Sequence, residues 1–316
     1  MRLGYLDRLT LQLTAGAALL PLSLVERHSQ YLFERQRDDG GWAGREGESD
    51  LYYTSFALRS LAILGYLEGD VAIRGARFLQ QQMQVSQSIV DILSLVYGAR
   101  LIQAACNLDP FADSAIQWET RLAILLDSLR RQDGGFSKSL QGHAGSTYQT
   151  FLVVICRELL GCPLPNDDAA AGFFMAQRQQ DGGFLEVRVA KRSGTNPTAA
   201  AIGGLIALDR LDPNVANSAA HFLIERQMDQ GGFAANTRMP IADLLSTFTG
   251  CLTLQSLESL DQIDLDATRQ YALSMERTSG GFAGFELDPS DDVEYTFYGL
   301  GALSLLASSA NISATS

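Results

Sequence analysis

Cysteine and histidine are scarce in this chain of 316 residues, with four of the first and three of the second. Cys106, Cys156, Cys162 and Cys251 stand singly, mostly within apolar helix-like runs, without the paired spacing of a disulfide frame or a zinc cage. They read as reduced, buried small residues. His143 and His221 read as a loop residue and an outer-helix residue. Positive charge is also short: 24 Lys and Arg face 36 Asp and Glu, for a net charge of −12. That balance argues against nucleic acid or an anionic membrane as a partner through bulk electrostatics, while leaving local basic patches open. There is no linker, low-complexity segment or charge block, so one domain over 1–316 is expected. Serine-nucleophile motifs, phosphate-binding glycine loops and nucleotide fingerprints are missing as well. The segment Leu9 to Val25 is apolar, but Asp7 and Arg8 precede it, Gln12 interrupts it, and no small-residue cleavage site follows before Glu26-Arg27-His28. An embedded N-terminal helix is expected there rather than an export signal.

What the chain does have is a repeated glycine doublet followed by an aromatic residue. It occurs at Gly40-Gly41-Trp42, Gly134-Gly135-Phe136, Gly182-Gly183-Phe184, Gly231-Gly232-Phe233 and Gly280-Gly281-Phe282. The later intervals are 48, 49 and 49 residues, and the first, 94, is about twice as long. The chain therefore reads as six repeats, the second of which (about 70–106) has lost its glycines. Each copy buries its apolar face against its neighbours. Before each doublet runs a helix with a charged stripe, and the glycines read as its stop. After it come a polar loop and a second helix nearly free of charge, opening at Thr54, Thr150, Thr198, Thr247 or Thr296. In the degenerate repeat, Ala76 to Met83 and Ser88 to Ile102 supply the pair, with a tight turn at Gln84 to Gln87. Helices apolar nearly all round are buried and amphipathic ones face water. The expected fold is all-α: six helical hairpins curled into a closed double ring, an (α/α)6 barrel.

Gln132-Asp-Gly-Gly-Phe136, Gln180-Asp-Gly-Gly-Phe184 and the longer Gln36 to Trp42 resemble the repeat of prenyltransferases and squalene cyclases. The resemblance runs from about Ser23 to Leu306. The segments Leu24 to His28, Glu225 to Gly232, Gly280 to Ala283 and Thr296 to Leu305 look most like the β subunit of protein prenyltransferases of the Rab geranylgeranyltransferase type. What this implies is an α/α toroid whose central cavity holds an isoprenoid diphosphate or polyprenyl chain. It further implies a cytoplasmic protein, with peripheral membrane attachment, an α-subunit-like partner and self-association all left open.

Second-helix starts gathered at one mouth would present free amides and positive dipole ends to a diphosphate. Tyr52, Tyr53, Tyr148, Phe248 and Tyr298 are expected to line the cavity. Arg188, Lys191, Arg192 and Arg238 are expected to receive the diphosphate, which magnesium could accompany. The family's zinc ligands map to Asp243, Leu245 and Tyr295. Leucine binds no metal and tyrosine is a poor substitute for imidazole, so neither zinc nor another resident cofactor is expected. Type II terpene cyclases carry Asp-x-Asp-Asp-Thr at one second-helix start, where the middle Asp donates a proton. Here the place reads Asp292-Val-Glu294-Tyr295-Thr296, making Glu294, with Asp292 and Tyr295, the candidate catalytic group. The competing reading of Asp50, Asp243, Asp292 and Ser146 is helix capping, since each precedes its threonine by four residues. The competing function is an inactive toroid that carries an isoprenoid or serves as a subunit of a complex.

Overall fold

The computed structural model of the protein describes residues 3–83, 88–112 and 117–315, with side chains as far as 309. The turn expected at Gln84 to Gln87 lies outside the described residues. In chain order the helices are α1 (Tyr5–Ala17), α2 (Leu22–Arg35), α3 (Leu51–Leu64), α4 (Gly69–Gln82), α5 (Ile89–Cys106), α6 (Trp118–Ser128) and α7 (Thr147–Leu159). There follow α8 (Asp167–Gln177), α9 (Thr195–Ala207), α10 (Pro213–Ile224), α11 (Leu244–Ser256), α12 (Leu265–Ser274) and α13 (Val293–Thr315). From α2 onward they form six pairs. The apolar start divides into α1 and α2 at Leu20-Pro21, because a proline has no amide hydrogen to continue a helix. Among the described residues, only α5 is long and apolar enough to cross a membrane, and most of it is buried.

Two compact units arise. One comprises residues 1–7 and 116–267, the other residues 8–115 and 268–316. In the first, α9 packs against both α7 and α11, and Phe174, Phe184, Ile202, Leu205 and Val215 fill the core beside it. In the second, α3 packs against both α5 and α13. That unit is built from the two ends of the sequence.

The doublets do not stop helices as expected. They close a turn several residues later, in which the Gly40 amide donates to the Arg37 carbonyl and the Arg37 amide to that of Gly41. Gly40 has φ 90°, and a β-carbon there would lie 2.2 Å from the Arg74 carbonyl oxygen of α4. One on Gly41 would lie 2.7 Å from the Phe78 ring. Glycine is thus required both by the left-handed backbone and by the close approach of the next repeat's first helix. The last doublet instead seats on Tyr31 of α2.

The threonine register has an equally specific cause. Five of the six second helices, α5 being the exception, begin three residues before their threonine, which is therefore the fourth residue. Thr54, Thr150, Thr198, Thr247 and Thr296 accept the backbone N–H of Trp42, Phe136, Phe184, Phe233 and Phe282 at 2.9, 2.9, 3.0, 3.0 and 3.2 Å. All five aromatic side chains are fully buried. The doublets flank this bond on one side and the helix caps on the other: Trp42 bridges to Asp50, and the short strands β1 (Phe233–Ala234) and β2 (Ala242–Asp243), β3 (Phe282–Ala283) and β4 (Asp291–Asp292) pair antiparallel.

All four cysteines are unpaired. Cys156 and Cys251 are buried, as expected, and burial pushes both thiols up to about 12. Cys106 and Cys162 are only partly buried.

Candidate functional site

In the unit of residues 8–115 and 268–316, α3 and α13 start side by side in equivalent register. Asp50 caps one, accepting the Tyr53 amide at 2.8 Å, and Asp292 caps the other, accepting the Tyr295 amide at 2.9 Å. Two residues after each cap stand Tyr52 and Glu294. The Tyr52 hydroxyl donates to Glu294 Oε1 at 2.6 Å, and Tyr298, one turn along the same face of α13, donates to the same oxygen at 3.1 Å. Both phenols donate to Oε1, so Oε2 is the oxygen that would carry the proton of the neutral acid. Burial raises the Glu294 pKa, and the Asp292 charge adds to this. The Tyr52 and Tyr298 hydrogen bonds and Arg59 oppose it without cancelling it.

Aromatic rings surround the carboxyl group. Phe56 lies 4.9 Å from Tyr52 and 5.3 Å from Tyr298, edge to face in both cases, and Phe297 lies 5.6 Å from Phe56. Arg59 enters the same cluster, 4.8 Å from the Phe56 ring and 4.7 Å from that of Tyr97, with its Nε buried and without a hydrogen-bond partner. Tyr53 belongs to this group too, 5.2 Å from Tyr52.

Asp292 has a second partner. Arg45 grips Asp288 with both terminal nitrogens, at 2.8 and 2.5 Å, and reaches Asp292 Oδ2 with Nε at 3.0 Å. Burial would raise the Asp288 pKa, but Arg45 and the amides of Ser290 and Gly284 bring it below the usual range. Burial holds Asp292 above its ordinary value in spite of Arg45 and the Tyr295 amide. Tyr295 lies 6.1 Å from Tyr298, with Arg45 5.8 Å from its ring.

The other expected groups lie in the unit of residues 1–7 and 116–267. Asp243 caps α11, its two oxygens taken by the Ser246 amide at 2.7 Å and the Ser246 hydroxyl at 2.8 Å. Burial raises its pKa against those two bonds. Ser246 also receives Asn196 Nδ2 at 3.3 Å, and Thr249 donates to Asn196 Oδ1 at 2.7 Å. This carboxylate is committed to the helix start, with Leu245 beside it, and the donor set does not fit zinc. Among the described residues, no three His, Cys, Asp or Glu side chains cluster to hold a metal. Phe248 is buried at 4 % exposure, Tyr148 is 41 % exposed, and Arg188, Lys191, Arg192 and Arg238 stand exposed on loops. Arg192 Nη1 reaches Thr237 Oγ1 at 3.4 Å.

The structure thus brings Tyr52, Tyr53, Tyr298 and Glu294 into one cluster, with Asp292 capping the helix that carries Glu294. It adds Arg59 and Arg45, which sequence reasoning missed. Arg59 had a signal: it is the sole charge in Thr54 to Leu64, a helix otherwise apolar or hydroxylic.

The profile of the prenyltransferase α/α toroid domain matches residues 14–91 and 81–315, almost the whole chain. The chain belongs to this family. Its fold is the all-α toroid of that family. Among solved structures, it is similar to protein geranylgeranyltransferase-I of Candida albicans in complex with GGPP, with TM-score 0.71 and 16 % identity over 89 % of this chain and 91 % of that one. A variant of the type II terpene cyclase MstE from Scytonema, bound to geranylgeranyl dihydroxybenzoate, matches with TM-score 0.64 and 12 % identity over 96 % and 99 %. An α-1,6-mannanase from Salegentibacter also matches, with TM-score 0.58 and 10 % identity over 91 % and 98 %. Likeness at such identities reports the fold alone. No curated protein matches the chain in sequence.

Proposed function

We propose that this toroid accepts a polyprenyl chain, free or as its diphosphate or another conjugate, and that Glu294 starts a cyclisation by protonating a carbon–carbon double bond. The observation that carries the reading is the Glu294 carboxyl group, which accepts from two phenols on one oxygen, has its pKa raised by burial and stands among aromatic rings. In the step, the Oε2–H bond breaks and the proton forms a C–H bond with the alkene π electrons. A tertiary cation results, which a second double bond of the same chain attacks. The rings of Phe56, Tyr52 and Tyr298 stabilise that cation through their negative faces. Loss of a proton to water or to the Glu294 carboxylate ends the sequence. The GGPP and geranylgeranyl ligands of two toroids of this fold support the substrate class.

The second reading is a carrier that binds the chain without altering it. It is favoured by the replacement of two of the three zinc donors, which removes thiol prenylation by the family's metal chemistry.

One incubation separates the outcomes. With geranylgeranyl diphosphate, protonation yields a cyclised product that retains its diphosphate, and Glu294→Gln abolishes it. Inorganic diphosphate released at the same rate by both proteins would instead indicate ionisation-driven transfer. Saturable binding with no product would leave the carrier.

A further inference from the structure

The loops that join each doublet to its second helix are charged differently in the two units. In the unit of residues 1–7 and 116–267, loops 137–145, 185–193 and 234–242 carry Lys138, Arg188, Lys191, Arg192 and Arg238 against a single acid, Glu186. In the other unit, loops 43–49 and 283–291 carry Arg45 against Glu46, Glu48, Glu286, Asp288 and Asp291. A chain of net charge −12 thus concentrates positive charge in one set of loops.

The three basic loops are tied along one edge. Thr147, opening α7, donates its amide to the Glu186 carbonyl at 2.8 Å and its hydroxyl to that of Leu185 at 2.6 Å. Thr195, opening α9, does the same to Ala235 at 2.9 Å and Ala234 at 2.6 Å. Each loop also lifts one large apolar side chain into water: Leu140 is 60 % exposed, Val189 88 % and Met239 46 %. Val189 and Met239 directly follow Arg188 and Arg238, and all five cations are exposed.

We propose that this edge docks on an anionic lipid surface, its cations on headgroup phosphates and carboxylates and its exposed apolar residues in the acyl boundary. Cations alone would suit an acidic protein equally. Exposed apolar residues set singly on loops beside cations match the layering of a bilayer interface instead, where charge and hydrocarbon lie a few ångströms apart. The proposal stands independently of the reaction at Glu294.

The test is flotation of the purified full chain with vesicles of phosphatidylcholine, alone or with one third phosphatidylserine. Binding is expected to the anionic vesicles only, and to weaken as salt is raised. The variant Arg188→Glu/Lys191→Glu/Arg192→Glu should lose on the order of a hundredfold in partitioning, since each cation near such a surface contributes roughly one power of five. Val189→Asp should weaken binding at unchanged melting temperature, and Arg269→Glu, an exposed charge change elsewhere, should leave binding as in wild type. A tryptophan in Val189→Trp should shift its emission to the blue on vesicles. Failure to float with anionic vesicles, or flotation that survives the triple change, overturns the proposal. So does release by low inorganic diphosphate together with an inert Val189→Asp, which would assign the loops to a soluble diphosphate.

Discussion

At the scale of single residues, Glu294 separates the readings. Glu294→Gln keeps shape and hydrogen bonding but has no transferable proton, so product formation should collapse while ligand affinity and melting temperature change little, as measured by turnover and calorimetry. In wild type, activity should decline as pH rises through the elevated Glu294 pKa, because the working form is the acid. Asp292→Asn is a poor control. Asparagine offers a single carboxamide oxygen, so one of the two bonds, to the Tyr295 amide or to Arg45, must fail. Asp50→Asn is the cleaner one, and should be nearly silent because Asn caps about as well as Asp. A further outcome follows from Asp243, whose oxygens are both engaged by Ser246: protein purified without chelator should contain well under one equivalent of zinc, and elemental analysis checks this. The capping roles of Asp50, Asp243, Asp292 and Ser146 were legible in the spacing to threonine. The partnership of Glu294 with Tyr52 was not, because it joins positions 242 residues apart whose meeting depends on how α3 and α13 align.

At the scale of the element, the recurrent bond is the one from a buried aromatic's amide to threonine. Thr247→Val keeps the volume but orphans the Phe233 N–H in the core, which should cost about 1–3 kcal/mol in urea unfolding, whereas Thr247→Ser should be close to wild type. The spacing announced these threonines, but their place as fourth rather than first residue could not be seen from sequence, since the helix start is decided by the cap behind them. His28 of α2 fastens the last doublet. It is fully buried, stacks on Phe282 at 4.7 Å, and its Nδ1 accepts the Gly281 amide at 3.0 Å. Glu276 lies 3.2 Å from Nε2 and taken alone would favour the imidazolium, yet a nitrogen that accepts carries no proton. Burial, with Arg27 beside it, lowers the pKa from 6.5 to about 4. The unfolded chain therefore binds a proton that the folded one refuses. Stability is full above pH 6.5 and is lost as pH falls towards 4, by on the order of 3 kcal/mol. His28→Gln should flatten that slope in urea midpoints taken across this range.

At the scale of the whole molecule, the family was legible because five doublets in fixed register report backbone geometry directly. Function was less so, since a mannanase shares the architecture and the chemistry resides in side chains that few motifs mark. The seat of the last doublet on α2 bears on synthesis. Tyr31, whose hydroxyl meets Asp291 at 2.6 Å, leaves the ribosome 260 residues before its partner. At about 5–20 residues per second, α2 waits roughly ten to fifty seconds for the surface that covers it. The segment 116–267, made in that interval, has its own neighbours already in hand. The nascent chain should therefore acquire protease resistance from the middle outward, with its first helices sealed last.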